Sequence, residues 1–233
     1  MVPPFYYFKV MRKFRIRMKC FLLLVMLFLS EMGWCADGDE FTVKSVEGVD
    51  VTYQVISEQQ KTCQVGGFLY RSAIDGQTSG EVTIPASVNG YTVEAIGDYA
   101  FVGCMSLQRV AIPSTVMRIG EKAFYQCEGL TTMEFLQSAN GIQIGNAAFM
   151  NCKSLQTLIL PEGLEVVSQE LCSQCSNLNK VVIPNSAKLI EPNAFYVCRS
   201  LKDVTIGSGV KLIGRNAFFS CEALQQIVLP HSA

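Results

Sequence analysis

Histidine and tryptophan are almost missing: the 233 residues hold one of each, His231 and Trp34. A histidine-based nucleophile, general base or metal site has a single position to draw on, so chemistry of that kind is not expected. Basic charge is also scarce where a folded domain would need it. Six of the nineteen Lys and Arg residues (Lys9, Arg12, Lys13, Arg15, Arg17, Lys19) precede Cys20. Without residues 1–35 the chain carries 13 basic and 19 acidic residues, a net charge of about −6. Phosphate neutralisation needs clustered cations, so nucleic acid is excluded as a partner. No glycine-rich phosphate loop or paired-carboxylate motif stands out, and no apolar run reaches the roughly twenty residues of a membrane span. The expectation is a chain that is not an enzyme and holds no cofactor and no metal.

What is present begins with a leader. A basic segment is followed by the ten-residue apolar run "CFLLLVMLFL", Cys20 to Leu29, and then by a short stretch with Gly33 and Cys35. That order is the pattern of a secretory signal over residues 1–35, with cleavage before Ala36 leaving small residues at the minus-three and minus-one positions. Met1, Met11 and Met18 all serve as possible starts, because "MVPPFYYFKV" adds nothing a signal needs. Cys35 allows a second reading, a lipid anchor on the mature chain, although Trp34 stands where lipoprotein signals carry a small residue. Both readings place the mature protein outside the cytoplasm, secreted or at the cell surface. Any membrane contact would run through Cys35.

The rest of the chain is dominated by an internal repeat. "IGDYAFVGCMSL" starts at Ile96, "IGEKAFYQCEGL" at Ile119, "IGNAAFMNCKSL" at Ile144, "VSQELCSQCSNL" at Val167, "IEPNAFYVCRSL" at Ile190 and "IGRNAFFSCEAL" at Ile213. The steps are 23, 25, 23, 23 and 23 residues. Each copy runs on into an alternating segment, "QRVAIP", "TTMEFL", "QTLILP", "NKVVIP", "KDVTIG" or "QQIVLP", and "EVTIP" precedes the first. Alternation with β-branched residues, closed by proline or glycine in six of the seven, predicts a short strand. In the other half, Ala123, Cys127 and Leu130 fall at i, i+4 and i+7, which predicts one or two turns of α or 3₁₀ helix. Such a unit buries its apolar face only by stacking on its neighbours.

In this "IGxxAFxxCxxLxxVxIP" unit, repeated six times over residues 81–233, the sequence resembles the BspA-like leucine-rich repeat family of bacterial surface proteins. The resemblance implies a leucine-rich-repeat solenoid, β-rich α/β, with a parallel sheet of short strands on one face and short helical or 3₁₀ turns on the other. It also implies a surface location and adhesion to host or partner proteins. The copy from Val167 departs most, with Ser168 for glycine, Leu171 for alanine and Cys172 for phenylalanine; the next carries Glu191 for glycine.

Residues 36–80 lack the period. "FTVKSV" and "GVDVTYQVI" alternate as half-buried strands, and Gly66-Gly67 and Asp75-Gly76 supply turns, so this segment is expected to be an N-terminal β cap over the first coil. The chain stops at "IVLPHSA", one strand into a further unit. Continuation in a longer chain, tolerated exposure and pairing with a second copy are all open at this point, and so is the oligomeric state.

Six of the ten cysteines (Cys104, Cys127, Cys152, Cys175, Cys198, Cys221) share one repeat position. Stacked coils should set them in a file pointing one way into the core. Translationally related side chains do not face each other as a disulfide requires, so buried thiols acting as small apolar fillers are expected. Cys172 and Cys175 form a C-x-x-C that lacks the second pair of a zinc site, and packing is its expected role.

A solenoid offers surface. With the leucine, valine and isoleucine of "LxxVxI" inward, one outward column reads Arg109, Thr132, Thr157, Lys180, Asp203, Gln226. The next reads Ala111, Glu134, Ile159, Val182, Thr205, Val228, apolar from Ile159 onward. Partner contact is assigned to Ile159, Val182, Thr205 and Val228 with Thr157, Lys180 and Asp203 beside them. A protein partner is the expected class, a host extracellular or bacterial envelope protein. A glycan-binding module is the second class. Sugar platforms present aromatic rings, and neither column has one, whereas Tyr125, Tyr196 and Phe219 share a position after "AF" with Val102 and Met150.

Overall fold

The computed structural model describes residues 36–67, 71–136 and 141–229. The expected leader, its cleavage site, Cys35 and Trp34 lie outside the described residues, as does His231. Among the described residues no helix is long and apolar enough to cross a membrane.

The chain winds as a stack of coils with a strand at two places in each coil. The longer strands are β4 (Gly80–Thr83), β7 (Leu107–Pro113), β9 (Thr132–Leu136), β11 (Thr157–Ile159), β13 (Lys180–Val182) and β15 (Asp203–Thr205), and they form one parallel six-stranded sheet in that order. Coil by coil the register is constant, Thr157↔Lys180↔Asp203 and Ile159↔Val182↔Thr205. The constant repeat step sets this: equal arc lengths bring equal repeat positions side by side.

A second row carries the residues around the repeat's first isoleucine. It comprises β6 (Tyr91–Ile96), β8 (Arg118–Ile119) and β10 (Gln143–Ile144), followed by β12 (Val166–Val167), β14 (Leu189–Ile190) and β16 (Leu212–Ile213). At its start β1 (Glu40–Lys44), β2 (Asp50–Ser57) and β3 (Thr62–Val65) pair antiparallel with one another; β3 then runs parallel to β6, and β5 (Ser87–Val88) pairs with β6.

The row is broken once, between β10 and β12, which do not pair. Elsewhere the residue after the isoleucine donates its N–H to the isoleucine carbonyl one coil back: Gly120 to Ile96 at 2.8 Å, Gly145 to Ile119 at 2.8 Å, Gly214 to Ile190 at 2.7 Å. Glycine suits this position because the preceding backbone lies against it; a Cβ on Gly145 would meet the Glu121 nitrogen at 2.6 Å. At the break stands Ser168, and its hydroxyl takes the place of the N–H, donating toward Ile144 O at 2.7 Å with Gly145 O at 3.0 Å. The interposed side chain separates the two backbones, and a cleft of about 450 Å³ opens along Gln143, Ile144, Glu165 and Val166.

The "AFxxCxxL" segments correct the sequence expectation. No helix is present among the described residues; these segments are successive four-residue turns. Every coil places two residues in the left-handed region, as at Lys122 (φ 50°) and Gln126 (φ 61°), then Ala147 (φ 54°) and Asn151 (φ 62°). A left-handed residue every fourth position ends any helix. Backbone bonds alternate accordingly. Tyr99, Phe101 and Gly103 donate to Glu121, Ala123 and Tyr125 of the next coil at 2.7–3.0 Å, while Ala100, Val102 and Cys104 donate three residues back at 3.0–3.3 Å. A repeated four-residue turn returns side chains to one side every four positions, so it imitates the i, i+4 spacing of a helix in sequence.

The core is a set of files between these walls. Phe101, Phe124, Phe149 and Phe195 are fully buried. Phe101 and Phe124 stack at 4.9 Å, Phe124 and Phe149 at 5.4 Å, Phe195 and Phe218 at 5.3 Å, and the file is interrupted where Cys172 replaces the ring. A second correction concerns "QQIVLP": residues 225–229 form no strand. Leu224 and Ile227 are only half-buried, since no coil among the described residues packs over them, and the weakened burial leaves that segment without ladder bonds to β15.

Candidate functional site

The outer surface of the six-stranded sheet divides into two unlike halves. Over β4, β7 and β9 it is closed by charge. Arg109 on β7 bonds Glu81 on β4 at 2.9 Å and also Glu134 on β9. The Glu134 and Glu81 bonds, in that order, raise the guanidinium's pKa above its ordinary value. Beneath this network Ala111 is buried.

Over β11, β13 and β15 the surface is open. Ile159 is 58% exposed, Val182 half-buried and Thr205 exposed, in register across three strands. Thr157, Lys180 and Asp203 form the parallel row one pleat away, all exposed. The inward residues between them, Leu158 and Val181, are fully buried, as alternation requires. Val228 is 73% exposed but stands in the irregular segment after β15, so it flanks the sheet and does not extend its strands. The two halves meet at a weak seam, where β9 and β11 pair only at Thr132↔Thr157.

A second apolar row was not recognised in the sequence. Val166, Leu189 and Leu212 are in register on β12, β14 and β16, with Val166 38% and Leu212 61% exposed. The signal was the residue before the repeat isoleucine, which is Ala95, Arg118 and Gln143 in the first three copies and Val166, Leu189 and Leu212 in the last three.

The cysteine file lies opposite the sheet face. All eight described cysteines are free thiols and buried. Burial pushes the Cys152, Cys172 and Cys198 thiols well above their ordinary value. Cys172 and Cys175 are each fully enclosed, and no group of described residues has the arrangement to hold a metal ion.

Residues 80–198 and 136–233 match the family model described as BspA type leucine rich repeat region, in six copies. Among solved structures, a leucine-rich repeat protein from Eubacterium ventriosum is similar at 29% identity, with 82% of this chain and 46% of that one covered and a TM-score of 0.61. A leucine rich cell surface protein from Faecalibacterium prausnitzii is similar at 26% identity over 80% of this chain and 54% of that one, TM-score 0.52. The chain thus spans about half the length of each of these. A T. pallidum leucine rich repeat protein shares the fold at 23% identity, over 76% of this chain and 88% of that one, TM-score 0.56. No curated protein matches the chain.

Proposed function

Because the chain belongs to the BspA type leucine-rich repeat family, we propose that it is an exported repeat module that binds a partner protein through the outer face of β11, β13 and β15. The observation that carries this reading is the row Ile159, Val182, Thr205: an apolar column held at 58% exposure at Ile159 on a sheet whose other half is closed by ion pairs. Folding does not require an apolar side chain there, and burying Ile159 and Val182 against a partner returns about 25 cal/mol per Å² of apolar surface. Thr157, Lys180 and Asp203 then supply a polar rim of both charges. Residues 1–35 act as the export leader, and β1–β3 cover the apolar end of the first coil. The surface location is supported by the solved relative described as a leucine rich cell surface protein.

The test is capture. Residues 36–233 are immobilised and exposed to host extracellular proteins and to bacterial envelope proteins, and captured partners are measured again with Ile159→Glu/Val182→Glu. The double variant is expected to keep its circular dichroism and melting transition and to lose the partner. Undiminished capture by the folded variant would refute the assignment to this face.

A further inference from the structure

On the turn side of the solenoid each coil sets one residue after the buried ring position: Val102, Tyr125, Met150, Ser173, Tyr196, Phe219. Five of the six are bulky, and Ser173 is the gap in the file. Tyr196 and Phe219 stack at 5.4 Å with 10° between their planes, so Phe219 covers one face of the Tyr196 ring and the coil of Ser173 lies toward the other. Met150 stands on the far side of the gap. Two coil spacings separate Met150 from Tyr196, on the order of 10 Å, the thickness of one missing rung plus its contacts.

The result is a notch of about 330 Å³ with Ser173 at its floor and Met150 and Tyr196 as walls. Its rim is polar, formed by Glu170, Asn193, Asn216 and Gln174. Ser173 is only 3% exposed, and it lines the notch.

We infer that this notch binds one neutral pyranose ring of a glycan. A pyranose presents an apolar C–H face of the size of an aromatic ring, which fits the open face of Tyr196, with the adaptable Met150 side chain against its other side. Its edge presents hydroxyls that both donate and accept. Asn193, Asn216 and Gln174 carry amides with the same dual capacity, Glu170 accepts, and Ser173 does either. No cationic side chain lines the notch, so an acidic sugar finds no counter-charge and meets the Glu170 carboxylate. An aromatic side chain from a partner protein would fill the rung but leave this rim unused. The site lies on the turn face and stands independently of the sheet face proposed above.

The test is saturation-transfer NMR on the purified chain with the methyl glycosides of glucose, galactose, mannose and N-acetylglucosamine at millimolar concentration. Transfer to the C–H protons of at least one glycoside is expected. Ser173→Tyr, which installs the residue found at this position in two other coils, should keep or raise the melting temperature and weaken binding by about tenfold or more. Tyr196→Leu, which removes the ring and keeps an apolar filler, should weaken it similarly. The inference is overturned if none of the four glycosides receives saturation, if folded Ser173→Tyr binds as well as the parent, or if N-acetyltyrosinamide occupies the notch and the sugars do not.

Discussion

The Cys127 thiol stands 2.9 Å from the carbonyl oxygen of Phe101, one coil earlier, and donates to it. The same bond links Cys152 to Phe124 at 3.2 Å, Cys175 to Phe149 at 3.1 Å, Cys198 to Cys172 at 3.1 Å and Cys221 to Phe195 at 3.3 Å. The Phe101 carbonyl already accepts the Cys104 N–H at 3.2 Å, so the thiol takes its second lone pair. Five of the six file cysteines are therefore more than apolar fillers: each of these five bolts its coil to the one before.

Cys152→Ala should cost about 1–3 kcal/mol, combining the void with a carbonyl left short of a donor. Cys152→Val fills the space without donating, so its smaller loss isolates the bond. Urea unfolding midpoints of the three proteins measure both effects. A valine variant as stable as the parent would mean that the thiol bond contributes nothing.

Burial pushes Cys221 up to about 11 and Cys63 up to about 12 from an ordinary value of 9.0, with Glu94 adding to the rise at Cys63. Raised pKa values mean that the folded state holds protons the unfolded chain has released. The thiol contribution is therefore fully present below about pH 9 and is lost as the pH climbs through 11 to 12. Urea midpoints should be level between pH 7 and 8.5 and fall steadily from pH 9.5 upward. Cys221→Ala should shallow that fall, and an identical slope in the variant would contradict the assignment.

In the fourth coil Leu171 and Cys172 replace the alanine and phenylalanine of the others, and both are completely buried. The pair exchanges one large and one small residue for the same total bulk. Cys172→Phe alone should overpack the coil and cost about 1–3 kcal/mol. Adding Leu171→Ala should recover most of it, giving a coupling of about 1 kcal/mol or more in a double-mutant cycle. Additive effects would show that the two positions do not share space.

Ser168 holds the separated strands β10 and β12 through its hydroxyl. Ser168→Ala should destabilise by about 1–3 kcal/mol, because it leaves the Ile144 carbonyl without its donor and keeps the strands apart. Ser168→Gly should lose less, since the backbone can close to the N–H bond seen at Gly120, Gly145 and Gly214. Thermal melts rank the three proteins; alanine equal to serine would refute the bond's role.

The repeat period, the coil count, the inward and outward alternation of the strands and the cysteine file were all legible in the chain, since each follows from residue identity at a fixed spacing. Ile159, Val182 and Thr205 were placed on one row from spacing alone, and the strand register agrees. The turn side was misread as helical because a four-residue turn and a helix share the same apolar spacing. Only the left-handed φ at positions such as Lys122 and Gln126, set by bonds to the neighbouring coil, separates them.

A one-dimensional pattern determines what stacks on what when every coil has the same arc length. It does not report the bonds between coils, which form across 23 or more residues of chain and depend on the side chains of two coils at once. The break at Ser168, the thiol bolts and the notch over Ser173 all arise in that way. Tertiary structure alone decided them, because each is a property of a residue and its counterpart one coil away.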